Sequence, residues 1–70
     1  MKRYKIIKTI FLDFLTYQDQ ITLKLSDGIV EWNERETSWY IDPTGKKHET
    51  INTGKTIEHY IDKGFLELVE

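Results

Sequence analysis

The chain contains no cysteine, so neither a disulfide framework nor a thiolate metal site can stabilise or equip it. Alanine is also absent, while isoleucine occurs nine times and lysine eight. Ile and Lys have AT-rich codons and Ala has GC-rich ones, so the bias points to an AT-rich source genome. No window approaches the ~20 apolar residues that a membrane helix needs. The basic start at Lys2, Arg3 and Lys5 looks like the opening of a signal peptide. Lys8, Thr9 and Asp13 interrupt the apolar stretch behind it, and no small-residue cleavage site follows. A cytoplasmic protein with no membrane association is expected.

Seventy residues make a single small domain, 1–70, near the lower limit for folding without staples. Hydrophobic residues supply 39% of the chain, too many for a disordered tail. Nine aromatics let so small a core bury more area per residue. Stability this close to zero makes a homodimer a natural expectation.

Net charge is −2, but its sign is segregated. Residues 1–8 carry four basic side chains and no acid, and the remainder carries six basic and twelve acidic ones. A basic arm of Lys2, Arg3, Lys5 and Lys8, with Lys46 and Lys47 nearby, defines a candidate nucleic-acid surface. The competing reading is structural: a basic first strand pairs with the acidic segment around Glu67 and Glu70, since opposite charges across a strand pair attract. Overall acidity favours the structural reading, because phosphate would be repelled.

The clearest local signal is the run from Trp39 to His48. Pro43 pre-sets the backbone angle of a first central turn position, and Gly45 can adopt the left-handed conformation of a bulge. If Asp42 and Lys46 flank that turn, Tyr40 lies opposite His48 and Trp39 opposite Glu49. Ile21, Leu23 and Leu25 alternate with Thr22, Lys24 and Ser26 as in a strand. Asp27 and Gly28 then read as a hairpin turn, with Ile29 to Trp32 as the returning strand. Residues 33–37 are a polar loop.

Residues 3–16 fit two patterns. Ile7, Ile10, Phe11, Phe14 and Leu15 recur at helical spacing, while Tyr4, Ile6, Ile10, Leu12 and Phe14 alternate as a strand. Enrichment in Ile, Thr, Phe and Tyr selects a strand for the first half and leaves residues 9–17 open between strand and helix. Near the C-terminus, Asn52 or Thr53 can cap a helix whose apolar face carries Ile57, Tyr60 and Ile61, with Gly64 ending it. Residues 65–69 read as a closing strand. The expected fold is α+β: a small antiparallel meander of about five short strands, with one C-terminal helix packed on one face.

Motifs for chemistry are sparse. Thr53, Gly54, Lys55 and Thr56 end like a phosphate-binding loop, but that pattern needs glycine where Glu49 stands, so a helix start explains them better. His48 and His59, with Asp62 on the helix face of His59, do not have a spacing that demands a metal. No serine or threonine stands beside an obvious base, and the carboxylates Glu31, Glu34 and Glu36 lie in or beside a solvated loop. No enzyme activity and no cofactor are expected.

Aromatic and charged residues carry the positive signal, since Trp, Tyr and Arg dominate protein interfaces. Alternation sends Val30, Trp32, Trp39, Ile41 and Ile51 inward. Glu34, Arg35, Glu36, Tyr40 and His48 remain as the outward set expected to bind a partner protein. The style of the chain (tiny, cysteine-free, rich in Ile and Lys) is similar to small phage and prophage proteins of low-GC bacteria. That resemblance implies an inhibitor or adaptor of a host protein, and no motif carries residues across. Two alternatives stand beside it, a nucleic-acid module using the basic arm and a self-associating structural protein.

Overall fold

The alternation starting at Tyr4 is a strand pattern, and it breaks at Lys8 as the sequence indicates. The computed structural model describes residues 2–33 and 38–69. β1 (Lys2–Ile6) and β2 (Ile10–Leu15) are separate strands joined by a bend. Tyr4, Ile6, Ile10, Leu12 and Phe14 are all buried, so the extended reading of 9–17 prevails over the helical one. The further elements are β3 (Gln20–Leu25), β4 (Ile29–Trp32), β5 (Trp39–Ile41), β6 (Lys47–Glu49), α1 (Gly54–Asp62) and β7 (Leu66–Leu68).

The α+β class is as expected, with seven strands arranged in two sheets. One has five antiparallel strands in the order β6-β5-β4-β1-β7, and the other is the β2–β3 hairpin. The meander holds for β4, β5 and β6 only, because β1 inserts between β4 and β7. Lys5 stands opposite Glu67 in the β1–β7 register, so the basic first strand does lie against the acidic C-terminal one.

Asp27 and Gly28 do not close a hairpin. β3 pairs with β2, and β4 pairs with β1 and β5, so this turn carries the chain from one sheet to the other. Gly28 has φ 104°, and a Cβ there would lie 2.7 Å from both the Ile41 carbonyl oxygen and Tyr40 Cε1. Positive φ and close approach both require glycine at this crossing.

The core lies between the two sheets. Ile10 and Leu12 from the hairpin meet Val30 from the larger sheet and Ile57 from the helix, and all four are fully buried. Thr53 occupies the N-cap position of α1 with an extended backbone, while Gly64, at φ 79°, terminates the helix. There the Phe65 N–H bonds the Tyr60 carbonyl at 2.9 Å. No helix among the described residues is long and apolar enough to cross a membrane.

Candidate functional site

A two-stranded sheet can bury one face but leaves two edges, and the molecule treats those edges differently. Along the outer edge of β2, the Tyr60 hydroxyl accepts from the Phe11 N–H at 3.1 Å and donates to the Phe11 carbonyl at 3.0 Å. The Asp13 N–H bonds Asn52 Oδ1 at 2.7 Å, and the Asp13 carbonyl accepts from the Ile51 N–H at 3.0 Å. Asn52 therefore covers an edge instead of capping the helix. β3, at the other side of the hairpin, has no strand beyond it among the described residues.

Position also explains the exposure of β3. Ile21 and Leu23 face the same way as buried Phe14 and Leu12, their register partners, yet remain 40% and 42% exposed. They lie past the rim of the larger sheet and form one wall of a groove of about 660 Å³. Ile51 and Thr50 supply the opposite wall, and Phe14, Tyr40 and His48 line the groove beside them.

These three rings are packed against one another. Tyr40 stacks on His48 at 5.8 Å between centroids, while Phe14 meets Tyr40 edge-on at 6.2 Å and His48 at 6.4 Å. The β5–β6 turn holds the imidazole in place. His48 Nε2 lies 2.9 Å from Asp42 Oδ2, and Asp42 Oδ1 accepts from the Thr44 and Lys46 backbone N–H groups, each at 3.0 Å. The Thr44 hydroxyl first, and then His48, hold the Asp42 carboxyl well below the usual carboxylate range. Burial pushes the Tyr40 phenol up, with the charges of Asp27 and Asp42 adding to it. Its hydroxyl donates to the Asp27 carbonyl at 3.2 Å.

With an apolar wall, an aromatic lining and an open strand edge side by side, the arrangement can receive an extended polypeptide. Side chains would enter the groove while backbone groups pair with β3. Comparison with protein-family models, with curated proteins and with solved structures finds no match.

Of the residues expected to form the outward patch, Tyr40 and His48 are brought together and both line the groove. Tyr40 does lie opposite His48, and Trp39 opposite Glu49, as the turn residues indicate. The faces are reversed, however. Tyr40 is 7% exposed and lines the core side, because it shares a face with Val30, its register partner. Trp39 and Ile41, expected inward, lie half-buried on the opposite face, and Ile51, expected inward with them, is exposed at the groove because its N–H is drawn to the Asp13 carbonyl at the β2 edge. His48 contributes its ring edge to the groove, whereas Glu34, Arg35 and Glu36 lie outside the described residues.

The basic set is exposed but largely matched with acids and rings. Arg3 Nε lies 2.9 Å from Glu31 Oε2, and Lys47 Nζ lies 2.8 Å from Glu31 Oε1 and 5.0 Å from the centre of the Trp39 ring. Glu31 lies in the strand where the sequence places it, beside the polar loop, but there it is a buried carboxylate. Lys47 lowers its pKa most, burial opposes that, and Arg3 lowers it further. Lys8 stands over the Phe65 ring at 5.7 Å, while Lys2 and Lys46 are exposed at strand and turn ends.

Gly54 lies against the Trp32 indole, and a Cβ there would be 2.6 Å from Nε1. Close helix–sheet packing thus accounts for the glycine in Thr53-Gly54-Lys55-Thr56. Among the described residues no group of three or more His, Cys, Asp or Glu side chains could hold a metal ion.

The β3 edge is what reading by motif misses. Its signal was the ambiguity of residues 9–17. β2 carries apolar residues on both faces, since Phe11 (52% exposed) and Leu15 (74% exposed) point away from the core. A strand that is apolar on both faces mimics helical periodicity.

Proposed function

We propose that this chain is a non-enzymatic protein-interaction module that takes up an extended segment of another polypeptide by strand addition at β3. The observation that carries this reading is the contrast between the two hairpin edges: β2 is closed by Tyr60, Asn52 and Ile51, and β3 is left open. An open strand beside an apolar groove supplies both parts of β-strand recognition, backbone pairing for affinity and alternate pockets for specificity. The Ile- and Lys-rich, alanine-free composition supports a small inhibitor or adaptor of a host protein in a phage or prophage setting, acting in the cytoplasm. Matching of Arg3 and Lys47 to Glu31, and of Lys5 to Glu67, weighs against the basic arm as a phosphate-binding surface.

The test is capture by the tagged chain from source-cell lysate, with nuclease and at high salt, for wild type, Leu23→Glu and Lys5→Glu. A stoichiometric protein retained by wild type and Lys5→Glu and lost with Leu23→Glu is the expected result. Capture that disappears with nuclease, or that follows Lys5 instead of Leu23, overturns the reading in favour of nucleic acid.

A further inference from the structure

We infer that, in the protein free of such a partner, the segment accepted by β3 is the β3 strand of a second copy of this chain, paired antiparallel with Thr22 opposite its own counterpart. The inference rests on the open-edge reading and names its occupant. Because Phe11 and Asp13 spend their backbone groups on Tyr60, Asn52 and Ile51, it is Ile10, Leu12 and Phe14 that turn theirs toward β3. In an antiparallel ladder their register partners Leu25, Leu23 and Ile21 bond back. The N–H and C=O groups of Thr22 and Lys24 therefore point outward.

Those outward groups limit the symmetric registers. Centring on Lys24 would place two ammonium groups face to face, which is repulsive. Centring on Leu23 would set Ile21 opposite Leu25, a side chain already covered by its own core. Centring on Thr22 sets exposed Ile21 beside exposed Leu23 twice over, by symmetry, and places Lys24 opposite uncharged Gln20.

Each rung of the resulting four-stranded sheet is then chemically matched. Phe14, Ile21 and the second copy's Leu23 and Leu12 form an apolar row on the core side. In the central rung the Thr22 hydroxyls, each already donating to its own Asp13, lie side by side. On the outer face Leu15, Gln20, and the second copy's Lys24 and Phe11 share a row, so the lysine stem covers exposed apolar surface. β3 has no proline and pairs with β2 along its whole length, Lys24 is its one charged side chain, and at its end the Gln20 N–H is already bonded to Asp19 Oδ1 at 2.7 Å, so the pairing is carried by Thr22.

The experiment is sedimentation equilibrium of the purified chain from micromolar to near-millimolar concentration, for wild type and Thr22→Pro. Proline there removes an N–H that the fold does not use. Wild type is expected to form a concentration-dependent dimer, and Thr22→Pro to raise the dissociation constant at least tenfold while keeping the circular dichroism of wild type. Should the proline variant fail to fold, Thr22→Cys still decides. Directly opposed residues at this kind of position lie ~5.5 Å apart at Cα, within disulfide range, and no other cysteine competes. Mild oxidation should give a covalent dimer with Thr22→Cys and none with Thr44→Cys. A monomer at every concentration overturns self-pairing, as does equal cross-linking of the two variants. If that monomer still captures a protein through Leu23, self-pairing alone has failed and the strand-addition reading stands.

Discussion

Replacing Gly54 by alanine separates local propensity from tertiary packing, because the two predict opposite signs. In a helix interior, Gly→Ala is favourable by roughly 0.5–1 kcal/mol through backbone entropy, an upper bound for Gly54 at the first position of α1. Here the new Cβ would lie 2.6 Å from Trp32 Nε1, 2.7 Å from Cζ2 and 2.8 Å from Cε2. Trp32 is only 6% exposed within the core, so the indole has nowhere to retreat. Overpacking a filled core costs about 1–3 kcal/mol, which exceeds the propensity gain. Gly54→Ala is therefore expected to destabilise the protein by about 1–2 kcal/mol, lowering Tm by roughly 5–15 °C for a domain of this size. Urea unfolding followed by far-ultraviolet circular dichroism gives the value. The same substitution in a Trp32→Phe background should lose its penalty, giving a coupling energy of about 1 kcal/mol or more. An alanine variant as stable as wild type, or one whose penalty persists beside phenylalanine, would refute the packing argument.

Ile57→Ala removes a fully buried side chain where helix and sheets meet, and should cost about 2–5 kcal/mol. A domain of this length has only about 4–10 kcal/mol in total, so thermal melts should show a large loss of cooperativity or of folded protein at room temperature. Tyr60→Phe deletes the hydroxyl that serves both backbone groups of Phe11. A loss of about 0.5–1.5 kcal/mol is expected, with faster amide exchange at Phe11 and unchanged exchange on β4. For Asp42, the folded carboxyl lies below its ordinary value, so its contribution is fully present above the unfolded pKa near ~4 and declines as pH falls further. Below about pH 4 the stability difference between wild type and Asp42→Asn should thus shrink as pH falls. A gap that widens on acidification below about pH 4 would contradict the assigned Thr44 and His48 interactions.

How far the sequence reaches can be judged element by element. The turn at 42–46 was fully legible, because Asp42, Pro43 and Gly45 encode it locally and thereby fix the register of Tyr40 on His48. Helix α1 and its glycine terminus were legible for the same reason, as was the alternation that buries Tyr4 and Ile6, whereas Ile10, Leu12 and Phe14 fitted strand and helix alike. The facing of the β5–β6 hairpin was not. Trp39, Tyr40 and Ile41 are all large and apolar enough for a core, so alternation names two sets without saying which is inside.

Local chemistry, then, determined the α+β class, the turn at 42–46 and the register within the β5–β6 hairpin, since each depends on a few neighbouring residues. Tertiary structure alone decided that β3 leaves β4 to pair with β2 and that β1 inserts between β4 and β7. It also decided that Glu31 is a buried anion between Arg3 and Lys47. The open edge belongs with these. Its existence follows from Tyr60 and Asn52, far along the chain, closing the other edge of the same hairpin. Contacts at such separation leave no periodicity to read, and they place the surface on which the proposed function rests.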